Sequence, residues 1–126
     1  MFVMILIIDD HADTCRMVAR FIKTMDCEAV ALNDPRRGLA EIEARRPGLV
    51  ILDENMPWVS GLELLERIRG HEDAAIAQLH VVMYSASADA QVRGRAMELG
   101  VDGFVTKSNG VLGLMPFVRQ CQAEVS

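Results

Sequence analysis

Three features of the sequence predict an α/β fold with a parallel sheet. Short apolar runs rich in β-branched residues recur along the chain, each too short for a helix. Segments with apolar residues at helical spacing separate them, so strand and helix alternate five times without repeat, linker or low-complexity segment. Two of the runs, FVMILII and LVIL, end abruptly in acids, at Asp9-Asp10 and at Asp53. Strands buried on both faces read as unbroken apolar runs. Sheets of that kind handle ligands at the carboxyl ends of their strands.

The first strand is expected over Phe2 to Ile8. From His11 to Met25, apolar Met17, Val18, Phe21, Ile22 and Met25 recur at helical spacing, with Arg16, Arg20 and Lys23 opposite. A short strand follows over Cys27 to Leu32. Asn33-Asp34-Pro35 then supplies the cap and first-turn proline of a helix running to about Arg46, which Pro47-Gly48 stops. Leu49 to Leu52 is the central strand, and Asp53 stands at its carboxyl end. After Glu54, Asn55, Met56 and Pro57, Gly61 opens a helix to about Arg69, with Leu62, Leu65 and Ile68 on its apolar stripe. A polar loop around His71, Glu72 and Asp73 leads to a strand over Leu79 to Tyr84, ending at Ser85. Ser87, Ala88 and Asp89 open a fourth helix through Met97 and Leu99, closed by Gly100. Gly103 to Thr106 is the last strand and ends at Lys107. Pro116 interrupts the helical spacing of Val111 to Val125, so the fifth helix begins late or bends there.

At 126 residues the chain fits one domain, large enough to bury roughly two-thirds of the surface its unfolded form exposes. Cys15, Cys27 and Cys121 are spaced too widely for a CxxC pair or a zinc site, and three thiols fit a reducing compartment. A net charge of -5 argues against direct nucleic-acid binding. The basic pairs Arg36-Arg37 and Arg45-Arg46 read as the solvated side of one amphipathic segment. FVMILII is too short to span a bilayer and meets two acids, so no membrane segment is expected. A cytoplasmic location follows.

Right-handed crossovers bring the strand ends Asp9, Asp10, Asp53, Ser85 and Lys107 to one edge of the sheet. Clustered carboxylates repel unless a cation shares them, and hard oxygen ligands suit Mg²⁺. A hydroxyl and an ammonium suit the oxygens of a phosphoryl group carried by one of the acids. Those are the parts for phosphoryl transfer to a carboxylate. Each residue alone has a plainer reading: Asp9-Asp10 and Ser85 as helix caps, Lys107 as a solvated charge. Their coincidence at successive strand ends speaks against that. His11 reads as an exposed helix-start residue, and Trp58 as a partly exposed loop residue rather than a stacking platform.

The paired acids of IIDD, the LDENMP run with Gly61 downstream, YSA at Ser85 and GVDGFVTK ending at Lys107 together resemble the receiver domain of two-component response regulators, of the chemotaxis-Y kind. The likeness covers nearly the whole chain, in order. It implies a flavodoxin-like (βα)5 sandwich with strand order 2-1-3-4-5, one of the two common orders of doubly wound sheets. It also implies that Asp53 is the phosphoacceptor, that Asp10, Asp53 and the backbone carbonyl of Asn55 bind Mg²⁺, and that Asp9 acts largely through water. Ser85 and Phe104 would be the switch pair and Lys107 the phosphoryl-binding lysine. The implied partners are a sensor histidine kinase or phosphotransfer protein, and a downstream protein or second copy on the face made by the fourth helix, fifth strand and fifth helix. Such a protein catalyses only its own phosphorylation and dephosphorylation. Residues 1–126 would be one receiver without an output domain. Two features depart from the pattern: Pro116, and Ser108 where the family usually has proline after the lysine. A cis bond there would cost roughly 3 kcal/mol without proline, which leaves its geometry to the structure.

Other functions fit less well. A degenerate receiver acting only as an interaction module would lack a member of the acid, hydroxyl and lysine set, and none is missing. In a flavodoxin binding FMN, Asp9-Asp10 would repel the phosphate. A haloacid-dehalogenase-type phosphatase places its acids two apart, whereas here they are adjacent.

Overall fold

The computed structural model describes residues 3–86 and 89–125. Phe2, Ser87 and Ala88, which the sequence assigns to a strand start and a helix start, lie outside the described residues. Strands β1 (Met4–Ile8), β2 (Glu28–Leu32), β3 (Leu49–Leu52), β4 (His80–Ser85) and β5 (Gly103–Thr106) form one sheet in the order β2-β1-β3-β4-β5. Every pairing is parallel. The order and class are those expected.

Alternation along the strands divides the core in two. Ile5, Ile7, Leu49, Ile51, Val82, Tyr84 and Val105 face one layer, where they pack on α1 (Ala12–Thr24) through Cys15, Val18 and Ile22, and on α6 (Met115–Val125) through Val118 and Cys121. Leu6, Ile8, Val50, Leu52, Val81 and Met83 face the other. There they meet α2 (Gly38–Arg45), α3 (Gly61–Arg69), α4 (Ala74–Ala77) and α5 (Ala90–Glu98). Leu49 to Leu52 are all buried, so β3 has no solvated face. All three cysteines are buried and unpaired. Burial pushes the Cys15 and Cys121 thiols up to about 11.

Two differences from the sequence expectation, and one feature it foresaw, have physical causes. The polar loop after α3 contains α4, a single turn capped by the Asp73 carboxylate, which accepts from the Ala75 amide; four residues are too few to display a helical period. Met17 is 51% exposed, because the buried stripe of α1 runs through Cys15, Val18 and Ile22. The segment before α6 is a 3₁₀ turn over Val111–Leu114, and Pro116 sits in the first turn of α6, where its missing N–H costs nothing. The late start was expected. No cis peptide occurs among the described residues, so the Lys107–Ser108 bond is trans. With α4 counted, the fourth and fifth helices expected from the sequence are α5 and α6.

Candidate functional site

The sheet itself delivers the acids. Ile8 stands beside Leu52 in the β1–β3 register, so the next residues, Asp9 and Asp53, emerge side by side. Ladder bonding runs up to them: the Asp9 amide donates to the Leu32 carbonyl at 3.2 Å and the Asp53 amide to the Ile8 carbonyl at 3.0 Å. Both acids are 3% exposed. On the other side, Ser85 pairs with Thr106, which leads directly into Lys107. Lys107 Nζ reaches Asp9 Oδ2 at 2.8 Å and Asp53 Oδ2 at 3.5 Å, one cation between two buried carboxylates.

The carboxyl of Asp53 is raised above its ordinary value by burial first and by the charge of Asp9 second. Lys107, a hydrogen bond from the Ser85 hydroxyl and one from the Glu54 amide, at 2.9 Å to Oδ1, offset part of that. Burial alone would depress the Lys107 ammonium, but its hydrogen bond to Asp9 and the charges of Asp53 and Asp9 outweigh it and hold the pKa above the usual value. Asp10 is half-buried, and its Oδ1 is buried with no hydrogen-bond partner among the described residues. His11 Nδ1 lies 3.3 Å from that oxygen and 3.1 Å from Asp9 Oδ1. Ligand atoms of Asp9, Asp10, His11 and Asp53 all fall within 4.8 Å of one another. An oxygen-rich set with one orphaned carboxylate oxygen fits a hard divalent cation.

Ser85 is fully buried against Asp53. Phe104 is half-buried, paired with Met83 and so on the same face of the sheet as Ser85, packed against the second core layer, and the Arg93 guanidinium lies over its ring at 5.0 Å. Asn55 is exposed in the loop between β3 and α3.

Sequence reasoning missed several residues. Glu54 locks the loop that carries Asp53: its carbonyl accepts from the Gly61 amide at 3.0 Å and its Oε1 from the Leu62 amide at 2.8 Å. A period-based reading has no means of finding a carboxylate that bonds backbone eight residues on. Tyr84, which follows Met83 as Asp53 follows Met83's register partner Leu52, buries its hydroxyl with no hydrogen-bond partner among the described residues. His11 is the exposed helix-start residue expected, and it also stands among the acids. Trp58 is 67% exposed as expected, yet the Arg36 guanidinium stacks on its ring at 3.9 Å.

Gly61 belongs to the site through what it lacks. A Cβ there would lie 2.3 Å from the Asp53 carbonyl oxygen and 2.9 Å from the Glu54 Cα. Backbone cannot yield as a side chain tip can, so Gly61→Ala should destabilise the fold by about 2 kcal/mol, in the range of overpacking substitutions. Urea unfolding of the two proteins checks this. A midpoint equal to the wild type would mean that α3 can withdraw from the acid loop without cost.

The sequence pattern of the response regulator receiver domain matches residues 5–116. The chain belongs to that family. This receiver is 29% identical over 103 residues to the phosphate regulon transcriptional regulatory protein PhoB of Pseudomonas aeruginosa, a match that covers 82% of the chain and 44% of that protein. The receiver spans about half or less of the length of the curated relatives it matches. It superposes on a response regulator receiver protein from Pseudomonas putida with a TM-score of 0.85, at 27% identity, over 95% of this chain and 98% of that one. The Mn²⁺-bound form of response regulator Rcp1 superposes with a TM-score of 0.79, also at 27% identity, over 96% and 92% of the two chains. Among the described residues of the receiver, no helix is long and apolar enough to cross a membrane.

Proposed function

We propose that Asp53 accepts a phosphoryl group, from a histidine kinase, a phosphotransfer protein or a small phosphodonor, in a reaction that depends on a divalent cation. One observation carries this: a buried carboxylate on β3, a second on β1 and the ammonium of Lys107 meet within 3.5 Å across the carboxyl edge of the sheet. An Asp53 oxygen forms the bond to phosphorus while the bond from phosphorus to the donor breaks, and the leaving group keeps that electron pair. The Ser85 hydroxyl and Lys107 donate to the phosphoryl oxygens. Asp9, Asp10, Asp53 and the Asn55 carbonyl would hold Mg²⁺, which neutralises charge at the phosphoryl group when bound. The metal named for Rcp1 is in keeping with a divalent cation at such acids. The protein modifies itself and turns over no separate substrate.

Binding to the native state alone stabilises it by mass action. Mg²⁺ at millimolar concentration should therefore raise the melting temperature of the wild type by a few degrees and that of Asp10→Asn much less. Equal increments in both would remove Asp10 from the site.

The signal would leave through Ser85 and Phe104. A phosphoryl group on Asp53 adds acceptor oxygens, and a Ser85 hydroxyl drawn towards them frees space beside β5 that the Phe104 ring can enter. Because Phe104 is already half-buried, phosphorylation would shift an existing equilibrium and alter the surface of α5, β5 and α6, where a partner protein or second copy would dock. Ser85→Ala should accept phosphate yet respond weakly at that surface. Amide chemical shifts with and without a phosphoryl mimic test it: changes confined to the acid cleft in the wild type would sink this route.

A further inference from the structure

The loop between β3 and α3 is pinned at both ends and strained in the middle. At its start the Glu54 carbonyl accepts from the Met56 amide at 3.2 Å, closing a tight turn about Asn55, and from the Gly61 amide at 3.0 Å. At its end the Ser60 hydroxyl caps α3 by accepting from the Glu63 amide at 3.1 Å. Between them the Val59 amide donates to the Pro57 carbonyl at 2.8 Å, a γ-turn about Trp58. Trp58 has φ 68°, the left-handed value that makes this the rarer and strained form of the turn. Glycine or asparagine tolerates that conformation, but a bulky residue there is an outlier.

Burial does not hold Trp58, whose side chain is mostly in solvent. Arg36, from the connection between β2 and α2, lies over its ring at 3.9 Å. That guanidinium is itself fixed: Nε and Nη2 donate to Asp34 Oδ1 and Oδ2 at 3.0 and 3.1 Å, and the Arg36 amide also donates to Asp34 Oδ1. A preorganised Arg–carboxylate fork is a stiffer platform than a lone cation. Stacking of the guanidinium on indole then links two loops between which no backbone hydrogen bond occurs among the described residues.

We infer that Arg36 is a positioning residue for the candidate cation site: stacked on Trp58, it holds the strained turn and thereby sets the place of the Asn55 carbonyl. Transmission is short. The two tight turns, 54–56 and 57–59, follow one another directly, and Pro57, which opens the second, has a fixed φ, so little of a relaxation at Trp58 is absorbed before it reaches Asn55. With Glu54 and Ser60 anchored, the displacement falls on the exposed residues between them. The inference rests on the cation site proposed above, and it adds to that site a clamp outside the acids.

A double-mutant cycle on the full chain tests it, with Mg²⁺ binding followed by calorimetry. Proteins compared are the wild type, Arg36→Ala, Trp58→Gly, the double variant, and Asp10→Asn as a control for the acids. Trp58→Gly removes the ring without penalising the positive φ, so it should fold. Arg36→Ala is expected to weaken Mg²⁺ about tenfold, the lower end of what loss of an outer-shell partner costs. Trp58→Gly should weaken it similarly, and the double variant no further than either single. Melting temperatures separate positioning from structure: a merely structural stack lowers them equally with and without Mg²⁺, whereas the clamp shrinks the Mg²⁺-dependent increment. Wild-type affinity in Arg36→Ala, or additive losses in the double variant, overturns the clamp while the acid site stands, provided Asp10→Asn has lost binding. Absence of binding in the wild type itself would overturn the acid site and the clamp together.

Discussion

Asp53→Asn should take up no phosphoryl group from a small phosphodonor in Mg²⁺, while folding as well as or better than the wild type. The nucleophilic oxygen is gone, and with it one of the acids that share the cleft. Asparagine still offers a carbonyl oxygen to the Glu54 amide, so the loop keeps its 2.9 Å bond. The gain in stability follows from sign. Burial, with the charge of Asp9 behind it, raises the Asp53 carboxyl, so the folded protein holds that proton more tightly than the unfolded chain. Stability therefore falls as pH rises from the ordinary carboxylate range through the raised value. Removing the charge removes the penalty. Mass spectrometry would look for one base-labile acyl phosphate, and thermal unfolding without divalent cation would read the stability. A phosphoryl group retained by Asp53→Asn and mapped to another acid overturns the assignment; a lowered melting temperature overturns the electrostatic account.

Much of this arrangement was legible because it follows from where buried strands stop. Leu49 to Leu52 can hardly be anything but a central strand, and once β1 and β3 are neighbours in a parallel sheet, Asp9 and Asp53 must emerge together. Lys107 was found by the same logic from β5. What escaped is what depends on approach between segments or runs against local preference. Nothing in the sequence around Trp58 announces a positive φ, since tryptophan is a poor occupant of that region. Arg36 counted as one of four solvated arginines, and it is exposed, but its position over Trp58 depends on how α2 and α3 settle against each other. Glu54, to which the sequence assigns no role, is a backbone acceptor. The short α4 was hidden by its length.

Lys107→Ala should have the second-largest effect, on two measurements at once. Lys107 is the cation between Asp9 and Asp53, at 2.8 and 3.5 Å, and its side chain is 19% exposed against 4% and 2% for the two acids. Breaking a buried pair by deleting one member leaves the other charge uncompensated, which costs several kcal/mol when both are fully buried. With Lys107 partly in solvent the loss should be nearer ~2 kcal/mol, a discount made because water screens the exposed end. Phosphoryl uptake should fall about a hundredfold, the usual consequence of deleting one donor to developing charge on oxygen. Divalent cation supplies the discriminating measurement. With the ammonium gone, Mg²⁺ becomes the remaining means of neutralising the acids, so its stabilisation should be larger in Lys107→Ala than in the wild type. Uptake should nevertheless stay low in saturating Mg²⁺, because the ion does not replace a donor at the position of Nζ. If Mg²⁺ instead restored uptake to the wild-type rate, Lys107 would serve charge balance alone, and its role as a hydrogen-bond donor to the phosphoryl oxygens would be lost.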